Sequence, residues 1–206
     1  MSRNVVHVCK DVAHGPLSYR DLTSGGRGVT GSEQSMLYAA RAQARQGHRV
    51  VCYLPTDTPG LAEGVELLDI RSAWPLLRRV DSADVVVSWC TADPLRMAPS
   101  NALRIYNIQI NDFLLNGFGY EQYVDVFVCV SQAHRNHLWT EDGHPGSDAV
   151  VEIIPNGVEL ERFQSPKKTV PGRCVYTSSP DRGLHWLLAI WPEVRMAFPY
   201  TELHIF

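Results

Sequence analysis

Four stretches of the chain hold residue types that could do chemistry. The first runs from Lys10 to Ser32 and contains SGGRGVTGSE: four glycines, Arg27 and several hydroxyls just ahead of a helix signal. Glycine lets a backbone come close to a ligand. A helix start offers unpaired amides and a partial positive charge, which suit a phosphate. Neither a Walker A lysine nor a GxGxxG turn is present, so the stretch reads as a phosphate or sugar loop or as a plain long connection. The second is RIYNIQINDFLLN, residues 104–116, where an apolar strand runs into Asn107, Gln109, Asn111 and Asp112. These side chains can read sugar hydroxyls, or Asn111 or Asp112 can cap a helix. The third is IIPNGVELERF, residues 153–163, in which Asn156 and Gly157 make a sharp turn after a strand. The fourth, YTSSPDRGLHWLL at 176–188, sets Ser178, Ser179 and Arg182 between a strand and a helix start. That is an anion-binding arrangement, or else Ser179 or Asp181 is an ordinary cap.

Two further features carry less. His134 and His137 lie three apart and could share a helix face, but no third ligand accompanies them, which favours a surface pair over a metal site. Ser131 reads as a helix cap, since no GxSxG elbow surrounds it.

The elements that must position these residues alternate between strand and helix. Short apolar runs predict strands at 4–9, 49–54, 65–70, 84–89, 104–108, 125–130, 150–154, 173–177 and 202–206. Runs such as DVVVSW and DVFVCV are apolar on both faces, as strands of a covered parallel sheet are. A helix is predicted from Gly31 or Ser32 to Gln46, opened by a Thr30–Glu33 capping box and closed at Gly47. Another is predicted from Asp181 to Phe198, with Leu184, Leu187, Leu188 and Trp191 inward and a kink or break at Pro192. Together these predict an α/β, doubly wound parallel sheet. The linker-like QSPKKTVPG divides residues 1–164 from 173–206, with 165–172 between them.

Composition narrows the function classes. Hydrophobic residues make up 45% and charged residues 20% of 206, with a net charge of −3. This is globular composition and argues against a general nucleic-acid binder. The charge is uneven: residues 1–49 carry seven Lys/Arg against three Asp/Glu, and the remainder twelve against nineteen. A basic start hints at an anionic ligand there, or is plain scatter. The five cysteines form no CxxC, each falls in an apolar run, and all five read as small buried side chains in a reducing compartment. No leader core or membrane-length apolar run is present, so a cytoplasmic protein is expected.

Taken in order, the motifs resemble the retaining family-four glycosyltransferases of the GT-B fold. TGSEQSMLYAARAQARQGHRVVCY resembles their opening loop, helix and second strand, and DVFVCVSQAHRNHL their strand, Val-Ser and helix. VEIIPNGVELERF resembles their crossing between domains, and CVYTSSPDRGLHWLLAIWPEVRMAFPYTELHIF the start of their C-terminal domain. The resemblance implies a Rossmann-like acceptor-side domain followed by the beginning of a second, donor-binding one. It implies transfer of a sugar from a nucleotide-sugar to a hydroxyl acceptor, without a metal or other cofactor. It places donor phosphate at Gly31, Ser32, Ser178, Ser179 and Arg182, the acceptor near Asn111 and Asp112, and the crossing at Asn156 and Gly157. Many members carry a His where this chain has Asn111, so no catalytic side chain is assigned. The family's E-x7-E segment would lie beyond Phe206, which reads as a truncated or split enzyme or a non-catalytic binding module. The 206 residues alone are therefore expected to bind donor weakly and to transfer no sugar. The apolar face of the C-terminal stretch is expected to pack on the N-terminal domain, on a second copy of the chain or on a partner chain, or to stay unordered, and a lipid-linked acceptor would bring such an enzyme to a membrane surface.

Overall fold

The computed structural model describes residues 1–13, 15–22, 28–73, 82–110, 119–140, 150–164 and 169–206. The chain divides into two compact units, Met1–Gly157 and Val158–Phe206. That division follows Asn156 and Gly157, ahead of the 165–172 stretch. The sharp turn expected there is not formed: the chain runs without a turn from Ile154 to Glu159, and neither Asn156 nor Gly157 has a positive φ.

The first unit is built on one eight-stranded sheet. Its strands are β1 (Asn4–Val8), β2 (Arg49–Leu54), β3 (Gly60–Ala62), β4 (Val65–Asp69), β5 (Val85–Trp89), β6 (Leu103–Ile108), β7 (Val126–Cys129) and β8 (Val150–Ile153). The order across the sheet is β3-β4-β2-β1-β5-β6-β7-β8. Every pair is parallel except β3 with β4. The predicted strands are all present, to within a residue at either end. The short β3 was not expected, because GLA carries a glycine and no apolar alternation.

Helices α1 (Gly31–Arg45), α2 (Ile70–Ala73) and α3 (Gln132–Thr140) accompany the sheet. Alternation along each strand feeds two separate cores. Val5, Cys52, Val87 and Trp89 pack with Met36, Leu37 and Ala40 of α1 on one face. Val6, Val8, Val86, Tyr106 and Phe127 pack with Leu138 of α3 on the other. Both faces are covered, as the apolar strands require, and the unit is a doubly wound, Rossmann-like α/β sheet. Helix α1 opens with the expected capping box and closes before Gly47 at φ 87°.

The second unit pairs β9 (Arg173–Tyr176) with β10 (Glu202–Ile205) in parallel, connected by α4 (Leu184–Ala197). Gly172 precedes β9 at φ 79°, and a Cβ there would come 2.6 Å from the Tyr200 ring, so only glycine fits the turn. Three expectations are corrected here. Helix α4 begins at Leu184 and not at Asp181, because Gly183 at φ 96° stands at its N-cap. Of the kink or break expected at Pro192, the break does not occur, since the helix runs on through it. Proline removes one donor from the ladder, but Pro192 and Leu188 both lie on the exposed side, where solvent can serve the freed carbonyl. Leu188 is 48% exposed and does not face inward; the partly buried positions are Leu184, Leu187, Trp191 and Val194. Of the five cysteines expected to be buried, Cys9, Cys52 and Cys129 are, whereas Cys90 is only partly buried and Cys174 is exposed.

Among the described residues no helix is long and apolar enough to cross a membrane.

Candidate functional site

The sheet order places a reversal between β1 and β5. The chain builds outward from β1 through β2 to β4, then returns to the other side of β1 and continues to β8. Ligands of open parallel sheets bind outside the carboxyl ends of the strands at such a reversal. Here those ends carry Cys9, Lys10 and Asp11 after β1, and Cys90, Thr91 and Asp93 after β5. Lys10 Nζ lies 3.4 Å from Asp93 Oδ2 and ties the two loops. Cys90 has φ 64°, a costly conformation for a residue with a side chain. Two bonds hold it: its N–H donates to the Asn107 carbonyl at 3.1 Å, and its carbonyl accepts the Tyr106 hydroxyl at 3.1 Å. Thr91 is 8% exposed, and its Oγ1 has no hydrogen-bond partner.

Helix α1 begins beside these loops. The Glu33 carboxylate, 2% exposed, accepts the Thr30 N–H and the Ala13 N–H, each at 2.7 Å. The Thr30 hydroxyl accepts the Glu33 N–H. Glu33 thus fixes both the start of the helix and the loop after β1. Among the described residues the amides of Gly31 and Ser32 are left without an acceptor. A Cβ at Gly31 would meet no atom, so the space there is open. The Ser32 hydroxyl lies 3.1 Å from Thr30 Oγ1 and also hydrogen-bonds the Cys90 thiol. Burial pushes that thiol's pKa up, the Ser32 bond opposes this, and the charges of Glu33 and Asp11 add to the rise. Burial first, then the neighbouring Cys90, keeps the Cys9 thiol protonated as well. These sulfurs are inert packing groups at the site, not nucleophiles.

The strand-end amides meet further along the sheet. Gln109 Nε2 donates to Asn107 Oδ1 at 2.6 Å and to Asn156 Oδ1 at 3.2 Å, and Asn156 Nδ2 donates back to Gln109 Oε1 at 3.1 Å. Two of the sequence stretches are therefore joined, with Asn156 held immediately before the end of the first unit. Asn111 and Asp112 lie outside the described residues, as does Arg27. Ser131 is the cap it was expected to be, its Oγ accepting the His134 N–H at 3.0 Å. His134 is not a surface residue: it is buried, with Nδ1 accepting the Val130 N–H and Nε2 bonded to the Ile110 carbonyl at 3.0 Å. Its partner carbonyl is 24 residues away, which the AHRNH spacing does not reveal.

In the second unit, Ser178, Ser179 and Arg182 share one tight turn. The Ser179 carbonyl accepts the Tyr176 hydroxyl at 2.7 Å and the Arg182 N–H at 2.9 Å. The Ser179 hydroxyl hydrogen-bonds Asp181 and holds its carboxyl below the usual range. No side chain caps α4, so neither Ser179 nor Asp181 is the ordinary cap considered for it.

Among the described residues no three His, Cys, Asp or Glu side chains converge as metal ligands would. A cavity walled by Val6, Val51, Tyr53, Glu66 and Leu68 lies over a face of the sheet, away from the carboxyl ends of β1 and β5. Lys10, Asp93, Cys90 and Thr91 were not singled out in the sequence. Their relevance follows from β1 and β5 being neighbours, and local patterning does not encode strand order. No known protein family's profile matches the chain, and a search of curated proteins finds no relative.

Proposed function

We propose that the chain is the acceptor-side domain, with the beginning of a donor-binding domain, of a metal-independent retaining glycosyltransferase. The observation that supports this best is the pair of amides at Gly31 and Ser32, which have no acceptor among the described residues and open beside the reversal between β1 and β5. Two N–H donors, the Ser32 hydroxyl and the α1 dipole suit a phosphate oxygen of a nucleotide-sugar or the leaving diphosphate. Lys10 offsets the nearby carboxylates. Asn107 and Gln109 supply neutral amides for acceptor hydroxyls. In the second unit, Arg182 with Ser178 and Ser179 is assigned to the donor diphosphate, since a guanidinium can bind it bidentately.

A second reading is favoured by one observation. Asp181 sits in the second unit's turn with its carboxylate already served by Ser179, and a fixed anion there opposes a diphosphate. This suits a non-catalytic sugar-binding module.

NMR titration of the whole chain with UDP-glucose and GDP-mannose tests both. Weak, saturable shifts at Gly31, Ser32 and Arg182 are expected. Gly31→Ala keeps the fold but fills the open approach, and should weaken binding about tenfold, the equivalent of one lost hydrogen bond. Shifts confined to Asn107 and Gln109, produced by free sugars alone, support the binding module. No saturable shift, or binding indifferent to Gly31→Ala and Arg182→Ala, overturns the donor assignment.

A further inference from the structure

His7 lies in β1 beneath helix α1 and is 1% exposed. Both ring nitrogens are engaged. Nδ1 accepts the indole Nε1–H of Trp89 at 2.9 Å. An indole nitrogen only donates, so Nδ1 is the unprotonated nitrogen, and Nε2–H donates to Gln43 Oε1 at 2.7 Å. The three side chains run as one line from the end of β5, through β1, to the second half of α1. Trp89 immediately precedes Cys90, the residue held at positive φ beside the candidate site.

We propose that His7 is an acid-sensitive lock on the first unit, holding the carboxyl end of β5 against α1 while its ring is neutral and releasing it when Nδ1 takes a proton from solvent. Protonation turns the acceptor into a donor. Two N–H groups, indole and imidazolium, then face each other in a site sealed from water, with nothing between them to accept.

Among the described residues the surroundings offer no counter-charge. On β2, Cys52 stands opposite His7 with its thiol kept protonated by burial. On β5, Val87 stands opposite, and Trp89 is the donor already described. Tyr19, also kept protonated by burial, gives its hydroxyl to the Leu37 carbonyl. Helix α1 brings Gln43. Its charged residues are engaged elsewhere: Glu33 with Thr30 and Ala13, Arg45 with Glu63, Arg41 over the Tyr38 ring. Burial accordingly holds the His7 pKa at about 4, with the Gln43 bond opposing it in part. A ring released to water returns to its ordinary 6.5. The open state therefore binds more protons between those values, and opening is favoured as pH falls from about 6.5 towards 4.

Hydrogen exchange of the whole chain tests this, reading the Trp89 indole N–H and the α1 amides against the amides of β6 and β7. In the native chain, protection of the indole and of α1 should fall about tenfold per pH unit across that window, ahead of β6 and β7, as one proton per opening requires. His7→Asn keeps an acceptor near the Nδ1 position without a titrating ring, and should abolish the acid step. In Trp89→Phe the ring stays buried but no donor faces it, so the acid step read at the α1 amides should become smaller. Protection lost from α1 in step with β6 and β7 in the native chain, an acid step that persists in His7→Asn, or one undiminished in Trp89→Phe, overturns the lock.

Discussion

Glu33 does two jobs with one carboxylate. Its Oε2 closes the capping box on Thr30, and its Oε1 holds the Ala13 amide, twenty residues back in the chain. The first job was legible in the sequence, because a capping box is a three-residue spacing. The second was not, because nothing local marks Ala13 as its partner. Glu33→Gln keeps the shape but turns one acceptor oxygen into an NH₂ group facing an N–H donor. It should lower stability by about 1–3 kcal/mol, the cost of a buried polar group left without a partner. Urea unfolding will read this as a lower midpoint at unchanged slope, and a loss below about 0.5 kcal/mol would show that the loop after β1 does not depend on the carboxylate. The same divide between local and distant signals explains the two readings near α3. Ser131 was legible as a cap three residues from its partner, whereas His134 was misread because the Ile110 carbonyl belongs to another strand end.

Elements were more legible than contacts. Runs of Val and Ile made each long strand visible, since strands buried on both faces need no alternation. The three-residue β3 lacked that signal and pairs only at the margin of the sheet. Helix α4 shows where helical periodicity misleads. LHWLLAIW is apolar nearly all round, so the sequence alone does not pick out the buried stripe. The fold chooses Leu184, Leu187, Trp191 and Val194, leaving Trp186, Leu188 and Ile190 exposed. Val194→Ala should therefore cost more than Leu188→Ala, about 1 kcal/mol against a few tenths, although the leucine is the larger side chain. Exchange protection of the α4 amides will rank the two variants, and the reverse order would place the buried stripe elsewhere.

At the scale of the whole molecule, fold class was legible and strand order was not. Alternating strands and helices dictate a doubly wound sheet, yet nothing in either segment says that β1 and β5 are neighbours. The candidate site depends on that adjacency, which is why Gly31 and Ser32 were found from the sequence while Lys10, Cys90, Thr91 and Asp93 were not. The division at Gly157 was only partly legible: the polar linker residues lie a few positions further on, and the turn expected at Pro-Asn-Gly is not formed. The division has a practical consequence through the cysteines. Cys9, Cys52 and Cys129 are buried, and burial raises the pKa of each, as it does for the less buried Cys90, while Cys174 in the second unit is exposed. Thiolate is the form that reacts. A maleimide should accordingly mark Cys174 within minutes and the other four only on the timescale at which the first unit opens, so mass spectrometry should see one adduct, then a long pause. Equal labelling of all five would contradict this. The chain thus carries two chemical clocks, a fast one set by reagent access to the second unit and a slow one set by the breathing of the first.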